Sequence, residues 1–167
     1  MVESADFWIE KLGLADHPEG GHYREIYRSF EYISGEALPE RFTGTRAFST
    51  CIYFLLKENE FSALHRLKTD EIWHFFTGSS LTLHIINKFG KYSKVTLGED
   101  LQKGEIFQFV VEAGSWFGAK GANAASYSLV GCTAAPGFDF QDFEMGKREE
   151  LVSLYPKHRA IIEEMTG

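Results

Sequence analysis

Short apolar runs at 48–56, 61–66, 72–77, 81–87, 92–97, 106–111, 116–119 and 125–132 follow one another through the middle of the chain. Turn-forming stretches separate most of them, among them Lys57-Glu58-Asn59, Thr77-Gly78-Ser79-Ser80 and Phe89-Gly90-Lys91. Many short strands at this spacing predict an antiparallel sandwich or barrel rather than a βαβ fold, so the expected class is all-β. The ends read differently. Ser4 precedes Phe7, Trp8 and Leu12, and Gly13 follows them, the pattern of a short amphipathic helix at 4–12. Helix formers return at 147–154 and 156–165, with Pro156 at a first helical position and Leu151, Leu154, Ile161, Ile162 and Met165 as the apolar set. Near the start, His17-Pro18-Glu19-Gly20-Gly21 reads as a turn, 22–29 as a strand with polar groups on both faces, and 31–46 as a long loop. There is no internal repeat or linker, so 1–167 is expected to form one domain.

Strand parity brings chemistry into this pattern. In the run after Asp70, Glu71, Trp73 and Phe75 share one face, while Ile72, His74 and Phe76 share the other. The aromatic pair beside Glu71 marks its face as the interior. A buried carboxyl needs a cation, a hydrogen-bond donor or a bound proton. His65, at the end of the preceding run, is the local partner. The two could ligate a divalent metal, or act as a base and its orienting carboxylate. His74 points away from Glu71, and the register of His84 is open. Gln108, between Phe107 and Phe109, is read as a polar contact to a ligand, with an outward-facing strand residue as the alternative. Trp73, Phe75, Trp116 and Phe117 are core aromatics that would also stack a ring-shaped ligand in an unfilled barrel.

Composition narrows the partners. The 167-residue chain is 44% hydrophobic and 25% charged, as in ordinary globular domains. Its formal charge of −7 repels phosphate backbones and argues against nucleic acid. No apolar run reaches the roughly 20 residues of a membrane span, and the start lacks a basic and then apolar leader, so a cytoplasmic protein is expected. Cys51 and Cys132 both lie in apolar runs and read as buried thiols.

Ordered motifs along most of the chain carry a resemblance. They are His17-Pro-Glu-Gly-Gly-His-Tyr-Arg-Glu25, His65-Arg66, Asp70-Glu-Ile-Trp-His-Phe75, Leu97-Gly-Glu-Asp100, Gly104-Glu105 with Gln108, Ala113-Gly-Ser-Trp116, and Leu129-Val-Gly-Cys-Thr133 through Pro136-Gly-Phe-Asp-Phe-Gln-Asp-Phe143. With them the chain resembles the cupin superfamily, and more particularly an uncharacterised cupin-like family with a His-Pro-Glu-Gly-Gly start and a Pro-Gly-Phe end. The resemblance implies a double-stranded β-helix jelly roll, usually a homodimer, with a small-molecule pocket inside the barrel. In metal-binding cupins a second His stands two residues after the first, where this chain has Leu67, and a later His stands where it has Phe117. His65 and Glu71 remain as metal ligands if a metal is bound, with His84, Gln108 or Glu19 to complete the set. No cofactor is therefore expected, and a divalent metal is the alternative.

Three functions follow as expectations. In an epimerase or isomerase acting on a ring such as a nucleotide-linked sugar, His65 would be the base, Glu71 its orienter, and Tyr23 or Tyr53 the acid. Arg24, Arg28 and Arg66 would suit an anionic substrate if two of them met at the pocket mouth. A non-catalytic binding or sensing module is the second reading, favoured by the hydrocarbon at Leu67 and Phe117. A metal-dependent dioxygenase or isomerase is the third.

Overall fold

A computed structural model describes residues 3–122 and 126–167 of the chain. In chain order the elements are α1 (Ala5–Leu12), β1 (Ala15–Asp16), β2 (His22–Arg28), β3 (Tyr32–Ile33), β4 (Arg46–Ala47), β5 (Thr50–Leu56), β6 (Phe61–Leu67) and β7 (Asp70–Gly78). They continue with β8 (Leu81–Ile86), β9 (Tyr92–Leu97), β10 (Gln108–Val111), β11 (Trp116–Gly121), β12 (Ser128–Ala135), β13 (Phe143–Met145), α2 (Arg148–Leu154) and α3 (Arg159–Glu164). One antiparallel sheet runs β1-β2-β5-β12-β7-β10 and a second runs β13-β6-β11-β8-β9. The two face each other as a jelly roll, the all-β class with helical ends that the sequence predicts.

Alternation decides what each strand presents to the interior. On β5, Phe54 and Leu56 enter the core between the sheets, joining Trp73, Leu83, Leu97, Phe117 and Val130. Leu55, on the opposite face, packs with Leu14, Tyr127 and Leu129 beneath α1. That helix is capped as its sequence suggests: the Ser4 hydroxyl accepts the Phe7 N–H at 3.1 Å, and Gly13 ends it in the left-handed conformation. Trp8 ties it down by donating its indole N–H to the Tyr127 hydroxyl at 2.8 Å. On the outer side of the second sheet, Leu151 and Ile162 of the C-terminal helices and Met165 just after them pack on Leu64, Ile86 and Trp116.

Several boundaries depart from the sequence reading. The 31–46 loop is partly ordered, since β3 pairs with β4 across it. The strand expected at 106–111 starts at Gln108, and Ile106 instead bridges Leu97 in parallel. The first part of 156–165 is a 3-10 turn, Pro156–His158, before α3 begins. The strand expected at 125–132 runs from Ser128 to Ala135, and its expected start at Ala125 lies outside the described residues. On β2 the register shifts between Glu25 and Tyr27. That bulge sets Tyr23, Glu25 and Arg28 opposite Phe54, Ile52 and Thr50, so all three reach the interior side. Strict alternation would have turned Arg28 outward with Arg24.

The segment after β12 closes one end of the barrel. Thr50 Oγ1 accepts the Phe138 N–H at 2.8 Å, and the Thr69 hydroxyl donates to the Pro136 carbonyl at 2.9 Å. Asp142, with 0% of its side chain exposed, accepts from Arg46 Nε and Nη2, each at 2.7 Å. Arg46 Nη1 donates to the Thr43 and Thr45 carbonyls at 2.8 Å. Removing one partner of such a pair strands a buried charge, which typically costs about 3–5 kcal/mol. Asp142→Ala is accordingly expected to lower unfolding stability by that order in a urea titration, whereas a change under 1 kcal/mol would show that the pair does not hold this segment.

Candidate functional site

Where the apolar core stops, the barrel interior opens as a cavity of about 450 Å³. Its walls are Ile52, Phe54, Leu67, Trp73, Phe138 and Phe143, and its polar groups include His17, Glu19, His65 and Glu71. Each polar group is placed by a different element. Glu71 and Trp73 alternate inward on β7, and the indole N–H donates to Glu71 Oε2 at 2.8 Å. His65 comes from β6, with Phe117 paired directly opposite on β11 and their rings 4.2 Å apart.

His17 and Glu19 come from the turn before β2. Gly20 and Gly21 take φ of +103° and +76°, and a Cβ on either would strike the Phe61 or Leu55 carbonyl. The glycines thus let the turn press against β5 and β6, and the Glu19 carbonyl accepts the Ala63 N–H at 2.8 Å. Its side chain is driven inward. Glu19 Oε1 accepts from the Ser62 hydroxyl at 2.7 Å, and Oε2 lies 3.1 Å from His65 Nε2 and 3.5 Å from His17 Nδ1.

Burial sets the protonation of this group. It raises the Glu19 carboxyl from its ordinary 4.5 to about 8, against a smaller lowering from Ser62. Burial also raises Glu71 to about 7, assisted by the nearby Glu19 and opposed by His65 and the Trp73 bond. The imidazoles move the other way: desolvation brings His17 to about 4 and lowers His65. His65 Nδ1 lies 2.7 Å from the Ala63 carbonyl, which only accepts, so Nδ1 carries a hydrogen. In the neutral ring Nε2 is then an acceptor, matched by a protonated Glu19. The pair shares one proton between Glu19 Oε2 and His65 Nε2. Burial pushes the Cys132 thiol well up, so it lines the cavity as an inert group.

Of the expected site residues, His65, Glu71, Trp73, Tyr23, Glu19 and Arg28 line the cavity. The others do not. Gln108 is exposed because it pairs opposite His74 on the outward face of β10. Tyr53 falls on the outer face of β5 and meets Phe76. Trp116 packs under the C-terminal helices with Arg66 4.5 Å above its ring, and Phe75 and Phe117 are used in core packing. His84 binds the Tyr92 hydroxyl at 2.8 Å, away from the cavity. Arg28 is at the mouth, held by Glu25 at 2.9 and 2.7 Å. Arg24 and Arg66 do not join it there. The sequence reading missed His17 as a site residue. Its signal was a pair of titratable side chains flanking Pro18 in a glycine turn.

A metal of the kind held in cupin barrels does not fit these residues. Leu67 and Phe117 stand where the resemblance to metal-binding cupins would put two ligands, Glu19 is engaged by Ser62 and His65, and among the described residues no three His, Cys, Asp or Glu side chains are placed to hold one ion.

A jelly roll with polar side chains gathered inside one mouth defines the cupin class. Over residues 6–146 the chain matches the family described as Cupin superfamily (DUF985), and it belongs to that family. A crystallised protein from Shewanella oneidensis is 39% identical over 99% of each chain, with a TM-score of 0.90. A hypothetical protein from Leishmania major is 38% identical over 98% of this chain and 99% of its own, with a TM-score of 0.87. Oxalate decarboxylase from Bacillus subtilis, 14% identical at a TM-score of 0.55 over 91% of this chain and 36% of its own, shares the fold alone. No protein of curated function matches the chain in sequence.

A carboxyl that stays protonated in the folded state destabilises it once the unfolded chain can ionise. The Glu19 contribution therefore falls as pH rises from about 4.5 to about 8 and is constant above that. Glu19→Gln is expected to gain stability relative to the unsubstituted protein across that window, read from urea midpoints at successive pH values. A constant difference from pH 5 to 8 would contradict a neutral Glu19.

Proposed function

We propose that this cupin binds a small ring-shaped molecule inside the barrel and moves a proton on it, as an isomerase or epimerase does. The observation that carries the reading is Glu71: a carboxyl near pKa 7, walled by aromatic rings, with Oε2 held by Trp73 and its other oxygen without a protein partner among the described residues. A group that titrates at working pH serves best as acid and base in turn. Ionised Glu71 takes the proton from a carbon beside a carbonyl, leaving an enolate, and returns it to a neighbouring position. Tyr23 lines the same cavity and is the second proton carrier an epimerase needs. His65, with both ring nitrogens engaged, holds Glu19 rather than serving as the base.

About 450 Å³ lies toward the lower part of the usual range for ligand sites, so one substituted ring fills it. The nucleotide of a larger ligand would extend past the mouth, where Arg28 stands. The hydrocarbon at Leu67 and Phe117 supports a second reading, a binding or sensing module without turnover. The test is to incubate the protein with a set of keto-sugars in deuterated water and follow solvent-derived deuterium by NMR. Exchange is expected in at least one sugar, about 100-fold slower or more with Glu71→Gln, and unchanged after dialysis against a chelator. No exchange in any sugar, or full exchange by Glu71→Gln, refutes proton transfer. A co-purifying compound found by native mass spectrometry, with no exchange, would then favour the binding module.

A further inference from the structure

His17 enters the barrel with 6% of its side chain exposed and lines the cavity. Its Nδ1 accepts the backbone N–H of Glu19 at 3.3 Å. An amide N–H can only donate, so this nitrogen holds a lone pair and the hydrogen of the neutral ring is on Nε2. Tyr23, Phe54 and Phe143 meet the ring edge-on at centroid distances of 4.5, 5.9 and 6.0 Å, and Phe140 stacks on it at 6.3 Å. The cage orients the imidazole and keeps it uncharged at neutral pH. Nε2 has no protein partner among the described residues, yet it is not one of their sealed-off unpaired atoms. It is therefore accessible, and the space that His17 lines is the cavity.

We propose that His17 Nε2–H is the hydrogen-bond donor to a carbonyl or enolate oxygen of the ligand, which makes the substrate class a ring bearing a carbonyl group. The proposal rests on the proton-transfer reading of Glu71. When the carboxylate removes a proton from carbon, charge develops on the neighbouring oxygen, and a preorganised donor in an apolar site stabilises that charge. A neutral imidazole suits this, because it donates without handing its proton over.

The probe is a series of para-substituted phenols, whose oxygen imitates an enolate and whose acidity rises from a methyl to a nitro substituent. Binding is followed by NMR on histidine-labelled protein. In the free protein, His17 is expected as the Nε2–H tautomer, with that nitrogen shifting when phenol binds. Affinity is expected to rise with phenol acidity. His17→Phe should lose about 10- to 100-fold for the nitrophenol and little for the methylphenol, and His17→Gln, which restores an N–H donor, should recover part. An Nδ1–H tautomer, no phenol binding, or an affinity independent of acidity in the unsubstituted protein overturns the proposal even if a variant fails to fold. An unchanged slope in a folded His17→Phe does the same. Glu71→Gln should keep the slope, so a failure of proton transfer and a failure of the His17 donor are told apart.

Discussion

A carboxyl taken out of water must be protonated, bonded or paired, and the cavity wall of this barrel buries Glu19 and Glu71 beside two imidazoles. Much of the site's design answers that constraint. Ser62 and His65 satisfy Glu19, and the Trp73 indole satisfies one oxygen of Glu71. His65 is in turn fixed by the Ala63 carbonyl, and His17 by the Glu19 amide. Near neutral pH the group carries little net charge. The result is an apolar chamber with polar groups that can donate and accept protons without fixed charges to pull water in.

That chamber stays open because the apolar core is confined to the other part of the barrel. Leu81, Leu83, Leu97 and Val130 fill the space between the sheets, while Thr50, Leu67, Glu71 and Ala134 surround the opening. At the mouth, Asp142 anchors the turn that carries Phe140 and leads to Phe143, and its partner Arg46 lies almost one hundred positions earlier. The β2 bulge adds Arg28 to the same rim. The opening of the cavity, its aromatic lining and its rim charge are thus governed by backbone features remote from the polar floor.

Membership of the Cupin superfamily (DUF985) agrees with the fold, and Leu67 and Phe117 bring hydrocarbon to the surroundings of His65. Phe117 shows how this acts. It faces His65 across the β6–β11 pair and packs its ring against the imidazole, so the histidine is held by aromatic contact and by Glu19. Ring packing and proton sharing orient the side chain.

Local features made the architecture legible. The spacing of apolar runs marked the strands, Ser4 and Gly13 marked the limits of α1, and parity on β7 separated Glu71 and Trp73 from Ile72 and His74. Those are properties of neighbouring residues, and so the sequence by itself determined them. Trp116 is the core aromatic it was read as, but it and Tyr53 lie away from the cavity and Gln108 takes the outward alternative, because which face of a strand is the cavity depends on the sheet it pairs with. Arg28 was named with Arg24 and Arg66 for the pocket mouth, and the residue inserted in β2 is what brings it there without Arg24. Only the tertiary structure decided that Glu19 is the partner of His65 and that His17 stands beside them. It joins the turn before β2 to β6 across more than forty residues, and no local pattern encodes a contact between segments that meet only when the barrel closes.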